Sequence, residues 1–282
     1  MRVAVIGMGN MGRAFATRAL ERGHRVLVWN RSPGRAAAVV ARGAVEASLE
    51  SAVGDADVVL LVLSDDEAVL EVCGGDNGIV ASLGSSAVLV NVSTVSPDTV
   101  RHLAAVGPVD RVLDAPVMGA PENVAAGHGR FFVGGPLPTI RSCDPLWTDL
   151  GVGYTHCGAV GTASIMKLIS NLLLITGVAS LAEAIATARR HGIPDDLLQD
   201  VFSQSPVISP TSALRLNSVL DPHHPGWFSP ALARKDVRLA VGLAQQSGLV
   251  VRVGPATDAL LSAVIESGGE WPDFSAVIEA LG

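Results

Sequence analysis

The start of this chain constrains its fold more than any other segment. Arg2-Val3-Ala4-Val5-Ile6, a short apolar run, leads straight into Gly7-Met8-Gly9-Asn10-Met11-Gly12, and residues 11–22 then follow a helical pattern. Glycines at this spacing between a strand and a helix do separate jobs: a tight turn, close approach of backbone to a ligand, and close helix–strand packing. The helix start beyond them offers unpaired N–H groups and the positive end of a dipole, which suits a pyrophosphate. A bare GxGxxG is common. One that opens the first helix after the first strand, with a second strand expected over Arg25–Trp29, predicts a dinucleotide-binding α/β domain.

The remaining pattern agrees. Further apolar, β-branched runs at 58–63, 87–92, 112–115 and 130–133 alternate with helical stretches at 32–42 and 97–105, which implies a parallel sheet covered on both faces. Near Gly158 the pattern changes to helix alone. Residues 161–191 read as one long helix, apolar on almost every side and so expected to be buried all round, stopped by Gly192 and Pro194. More helices are expected at 195–204, 230–246, 256–266 and 274–281. The fold class is therefore α/β, with an N-terminal Rossmann dinucleotide-binding domain over 1–158. An all-α domain over 159–282, for substrate binding and dimerisation, follows through a long interdomain helix.

Composition narrows the function classes. With 282 residues, 49% hydrophobic and 17% charged, the chain has material for two cored domains and is not a disordered one. A net charge of −7 with no basic block disfavours nucleic acid as a partner. Cys73, Cys143 and Cys157 lack metal-site spacing and fit a reducing, cytoplasmic compartment. The first apolar run is too short for a signal segment. The stretch 168–182 is too short to span a bilayer, so no membrane is expected. His24 reads as a turn residue, His223-His224-Pro225 as an exposed loop, and Asp65-Asp66-Glu67 as a solvated helix start rather than a metal site.

Two residue choices point to chemistry. The second strand ends in Trp29-Asn30-Arg31-Ser32, without the acid that binds a ribose 2′-hydroxyl. Arg31 offers a guanidinium to a 2′-phosphate, with Ser32 and Asn30 as uncharged partners, so NADP(H) is the expected cofactor. Of 20 basic residues only Lys167 and Lys235 are lysine, and Lys167 lies inside the long apolar helix with Asn171 four residues on, sharing its face. An amine in apolar surroundings can exchange a proton near neutrality, whereas a guanidinium cannot. Lys167 is the candidate acid/base.

These residues resemble the β-hydroxyacid dehydrogenases, which include 3-hydroxyisobutyrate and tartronate-semialdehyde reductases, and their relatives the imine reductases. The resemblance covers nearly the whole chain through Gly7–Gly12, Trp29–Ser32, Val92-Ser93-Thr94-Val95-Ser96-Pro97, residues 114–127, Gly161…Lys167…Asn171 and Phe228…Lys235-Asp236. It implies a hydride transfer between NADP(H) and a small carbonyl or hydroxy compound. Lys167 would be the proton donor or acceptor, with Asn171 beside it as second catalytic and substrate-binding residue. It further implies that Leu63, Ser64, Thr94 and Lys235 join Gly7, Met8, Gly9, Asn10, Met11, Gly12, Asn30, Arg31 and Ser32 at the cofactor. Ser93, Met118, Gly119 and Ala120 would lie at the substrate, with Asp236 structural. The loop departs from the dehydrogenase pattern: Met118 stands where a serine is usual and Ala120 where a second glycine is. Met118, Pro121 and Glu122 resemble the imine reductases, which usually carry Asp or Tyr in the place of Lys167. An imine reductase-like C=N reduction is thus the alternative, and a non-catalytic dinucleotide-binding module the third. A homodimer or larger homo-oligomer is expected.

Overall fold

A computed structural model describes residues 1–223 and 225–281, so His224, expected in an exposed loop, lies outside the described residues. The chain divides into two compact units, Met1–Lys167 and Leu168–Gly282. The division falls inside the long helix, later than the domain boundary expected at residue 158.

The first unit is a nine-stranded sheet: β1 (Arg2–Ile6), β2 (Arg25–Trp29), β3 (Val45–Glu46), β4 (Val58–Leu61), β5 (Val88–Asn91), β6 (Val112–Asp114), β7 (Val117–Met118), β8 (Arg130–Gly134) and β9 (Tyr154–Gly158). Its order is β3-β2-β1-β4-β5-β6-β8-β7, with β9 on β8, and β1 to β6 pair in parallel. The chain runs outward from β1 to β3, then crosses back to β4 beside β1. A crevice outside the carboxyl ends of β1 and β4 follows from that reversal.

Strand alternation builds two cores. Val3 and Val5 pack one face with Phe15, Phe131 and Trp147, while Ala4 and Ile6 pack the other with Val69, Val100 and Leu103. β3, β7 and β9 are strands that periodicity does not reveal, since β3 and β7 are two residues long and β9 carries Thr155 and His156 on an exposed edge. The helix expected over 32–42 is reduced to Ala37–Val40, because Gly34 takes a left-handed φ of +81° and the chain turns there.

Among the described residues the second unit is helical. It continues the Thr162–Arg190 helix and adds Asp195–Ser203, Pro210–Ala213, Leu216–Leu220, Pro230–Gln246, Val253–Glu266 and a 3-10 turn at Phe274–Leu281. Ile175, Val178, Ala182 and Ile185 of the long helix pack with Phe228, Val237, Leu261 and Phe274. A buried ion pair staples this core: Arg215 Nε lies 3.1 Å from Asp273 Oδ1, with its guanidinium 4.7 Å from the centre of the Phe274 ring.

At 29 residues the long helix has nearly the expected extent and is, by length and composition, apolar enough to cross a membrane, a test that core helices of soluble proteins also pass. It corrects one expectation: its burial is one-sided rather than all round. Ile169 is exposed and Leu173 is 70% exposed, while Leu168, Ile175 and Val178 are buried. The sequence shows no polar stripe because the outer face is apolar too.

Candidate active site

The glycine loop is shaped by the protein on one side and open on the other. Gly7 takes φ +103°, and a Cβ there would lie 2.3 Å from the Val62 carbonyl oxygen. A Cβ on Gly12 would lie 1.8 Å from the carbonyl oxygen of Gly7, so turn and helix touch through backbone alone. A Cβ on Gly9 would meet nothing within 4 Å. Gly9 caps the Asn10–Glu21 helix without a side-chain hydrogen bond, and the first turn carries no acid. Unpaired N–H groups beside empty space at a dipole's positive end are what a pyrophosphate requires, so these residues fit a dinucleotide.

Asn30 is placed here differently from its expected part as a cofactor contact. Its Oδ1 accepts from Met8 N at 2.8 Å, and its Nδ2 donates to Ser32 O at 2.9 Å. The carboxamide therefore braces the glycine loop against the loop after β2. Arg13 adds a second brace, donating from Nη1 to Met8 O at 2.8 Å. Arg31 and Ser32 are exposed at the carboxyl end of β2, and Arg31 Nη1 lies 2.8 Å from Glu71 Oε2. Glu71 was not legible as a site residue, because 40 residues separate it from its partner.

Ser93 is likewise used internally. Buried at the end of β5, its hydroxyl accepts from Leu63 N at 2.8 Å and donates to Leu61 O at 3.1 Å. It stitches the β4 and β5 loops together, which makes it a positioning residue rather than an exposed substrate ligand. Thr94, next to it, is half-buried. Ser64 is exposed and donates to Asp65 Oδ2 at 2.7 Å. Asp65 caps the Asp66–Cys73 helix by accepting from Ala68 N at 2.8 Å, while Asp66 accepts from Ser96 N at 2.9 Å and from Thr99 Oγ1. Two of these three acids therefore fasten helix starts; no group of metal-ligating side chains occurs among the described residues.

Lys167 is positioned through Asp114. That carboxylate, fully buried at the end of β6, accepts from Ser164 N and Ser164 Oγ, both at 2.7 Å, and fastens the start of the Thr162–Arg190 helix. Burial pushes the Asp114 carboxyl upward, against the hydrogen bonds from Ser164 and the Gly161 backbone that favour its charge. Lys167, three residues beyond Ser164, is half-buried and donates from Nζ to Met118 Sδ at 3.9 Å. Met118 ends β7, Gly119 follows at φ +136°, and Ala120 caps the Pro121–Ala125 helix. Lys167 and the methionine that ends β7 thus meet at one place.

In the second unit, Asn171 is buried and donates from Nδ2 to Asp236 Oδ2 at 2.6 Å, while Lys235 Nζ lies 2.8 Å from Asp236 Oδ1. Asp236 holds two assigned residues at once. Its signal in the sequence was only its place beside Lys235.

Comparison with known proteins agrees with this geometry. The sequence profile of the NAD binding domain of 6-phosphogluconate dehydrogenase matches residues 2–160. That of the NAD-binding region of NADP-dependent 3-hydroxyisobutyrate dehydrogenase matches residues 161–281. The chain is 30% identical to 3-hydroxyisobutyrate dehydrogenase of Pseudomonas aeruginosa, over 98% of this chain and 96% of that one. Among solved structures, Psf3 in complex with NADP+ and 2-OPP superposes with a TM-score of 0.91 at 25% identity, covering 99% of this chain and 100% of that one. The 3-hydroxyisobutyrate dehydrogenase of Mycobacterium tuberculosis, with L-serine, gives 0.83 at 28% identity, covering 99% and 98%. An imine reductase of Streptomyces aurantiacus gives 0.64 at 25% identity, covering both chains fully.

Proposed function

The chain belongs to the β-hydroxyacid dehydrogenase family of NAD(P)-dependent oxidoreductases, and from that premise we propose that it uses NADPH to interconvert a small carbonyl compound and its alcohol, with Lys167 as acid/base. The observation that carries this is the placement of the Lys167 ammonium. A helix start fastened by buried Asp114 presents it at the carboxyl edge of the sheet, beside the loop of Met118. The bound nicotinamide supplies or accepts the hydride. Lys167 Nζ gives the proton to the substrate oxygen in reduction and takes it in oxidation. Asn171, one helical turn on, binds substrate with its amide plane fixed by Asp236. Arg31 and Ser32 bind the 2′-phosphate, and the open side of Gly9 receives the pyrophosphate.

The substrate loop supports a second reading. Met118 offers a thioether where a hydroxyl would bind a carboxylate, which suits a larger, less charged substrate and an imine reductase-like C=N reduction. The larger TM-scores of the dehydrogenase structures rank it second. Two further features support a homo-oligomer and a cytoplasmic setting. Leu173, Val207 and Leu214 stand largely exposed on the second unit, apolar side chains of the kind a second copy would cover. The three cysteines are free thiols, Cys73 buried with its pKa pushed up to about 12.

Lys167→Met tests the central claim. General acid–base catalysis is worth roughly 10²–10⁴-fold, so kcat should fall by that factor while NADPH affinity by calorimetry stays unchanged. Lys167→Arg should fail nearly as badly, since it keeps the charge and loses the exchangeable proton. A near-normal rate in the Arg variant would reassign the proton transfer.

A further inference from the structure

A polar cleft of about 200 Å³ lies beside the loop after β2, lined by Arg31, Ser64, Asp65, Glu67, Ala68 and Glu71. Arg31 comes from the loop, and Glu67 and Glu71 from the Asp66–Cys73 helix, one turn apart and so on one face. The Arg31 side chain is 71% exposed and that of Glu71 57%, yet their charged ends meet at 2.8 Å. The acid that the sequence lacks at the end of β2 is therefore present in space, brought in from the helix that follows β4.

We propose that Glu71 is a specificity-determining residue: as the counter-ion of Arg31, it weakens the preference for NADPH over NADH that Arg31 creates. The proposal rests on Arg31 being the ligand of the 2′-phosphate. A ribose hydroxyl leaves the Arg31–Glu71 pair in place. A 2′-phosphate, with a charge of about −2, has to take the guanidinium from Glu71. The penalty falls on NADPH alone. Because the pair is exposed its size is small, about two- to fivefold in affinity, and it shrinks as salt screens it.

Calorimetry on the full chain with NADPH and with NADH tests this in four proteins: the parent, Glu71→Gln, Arg31→Ala and the double variant. Glu71→Gln should tighten NADPH by about two- to fivefold and leave NADH unchanged, and the gain should vanish when Arg31 is alanine. If Arg31→Ala weakens NADPH but Glu71→Gln changes nothing, the role of Glu71 is overturned and that of Arg31 stands. An equal gain in both backgrounds also overturns it, since Glu71 would then act by direct repulsion and not through Arg31. If Arg31→Ala leaves NADPH binding intact, the 2′-phosphate assignment falls first and the proposal with it.

Discussion

The two ends of the parallel sheet in the first unit are built on opposite plans. At the amino ends, charged side chains close the structure. Arg2 holds Asp57 through its backbone N–H at 2.7 Å and its guanidinium at 2.6 Å, and His24 Nε2 lies 3.1 Å from Asp149 Oδ2. Arg111 Nη1 donates to the carbonyls of Gly84 and Ala87 at 2.9 and 2.8 Å. At the carboxyl ends of β1, β4 and β5 more of this work is done by backbone and by short polar side chains: Gly7 against Val62, Gly12 against Gly7, and the hydroxyl of Ser93 between two loops. A side chain on Gly9, between those glycines, would fill the space a ligand needs. One end spends its polar groups on stability, and the other keeps room for chemistry.

The largest effect expected from breaking this division is at Gly12. Alanine would set a Cβ 1.8 Å from a backbone oxygen that cannot swing aside, so Gly12→Ala should cost about 3 kcal/mol of unfolding free energy in urea, the upper end of what overpacking costs. A variant as stable as the parent would show that the contact relaxes. Gly9→Ala sharpens the comparison at the same loop. No protein atom opposes that Cβ and φ −70° suits alanine, so stability should stay within about 0.5 kcal/mol. NADPH affinity should nonetheless fall by at least about tenfold, because the added methyl occupies the ligand's approach. Unchanged affinity would remove the pyrophosphate from Gly9.

The smallest effect lies at the amino end. Burial holds the His24 imidazole below its ordinary value of 6.5. The unfolded chain therefore takes up a proton near pH 6.5 that the folded chain takes only at lower pH, and stability falls as pH drops through that value. The unfolding free energy should decline slightly from pH 7 to pH 5.5, and His24→Gln should flatten the decline. An equally steep slope in the variant would locate the proton uptake elsewhere.

What was legible in the sequence follows the same division. The glycine loop and the strands β1, β2, β4, β5, β6 and β8 were readable because each rests on a local pattern: a strand running into glycines, or a run of apolar residues. The substance of Asn30 and Ser93 was not. Each is polar and stands in a motif, so sequence alone aims it at a ligand, whereas the fold turns it toward Met8 N and toward the β4 loop. Glu71 was illegible for a different reason: nothing local to the Asp66–Cys73 helix says that Arg31 will face it. The long helix misled through its outer face, where Ile169 and Leu173 are as apolar as the buried residues.

The brace made by Asn30 has a consequence for how cofactor choice in such a protein could drift or be redesigned. Because one carboxamide both accepts from Met8 N and donates to Ser32 O, the glycine loop and the loop after β2 are tied together through a single side chain. Writing the acid of an NAD-selective enzyme into position 30 would keep the acceptor but lose the donor, loosening both loops in one mutational step. Arg31, Ser32 and Glu71 carry no such double duty. The accessible route between the two cofactors runs through those exposed positions, with residue 30 held fixed.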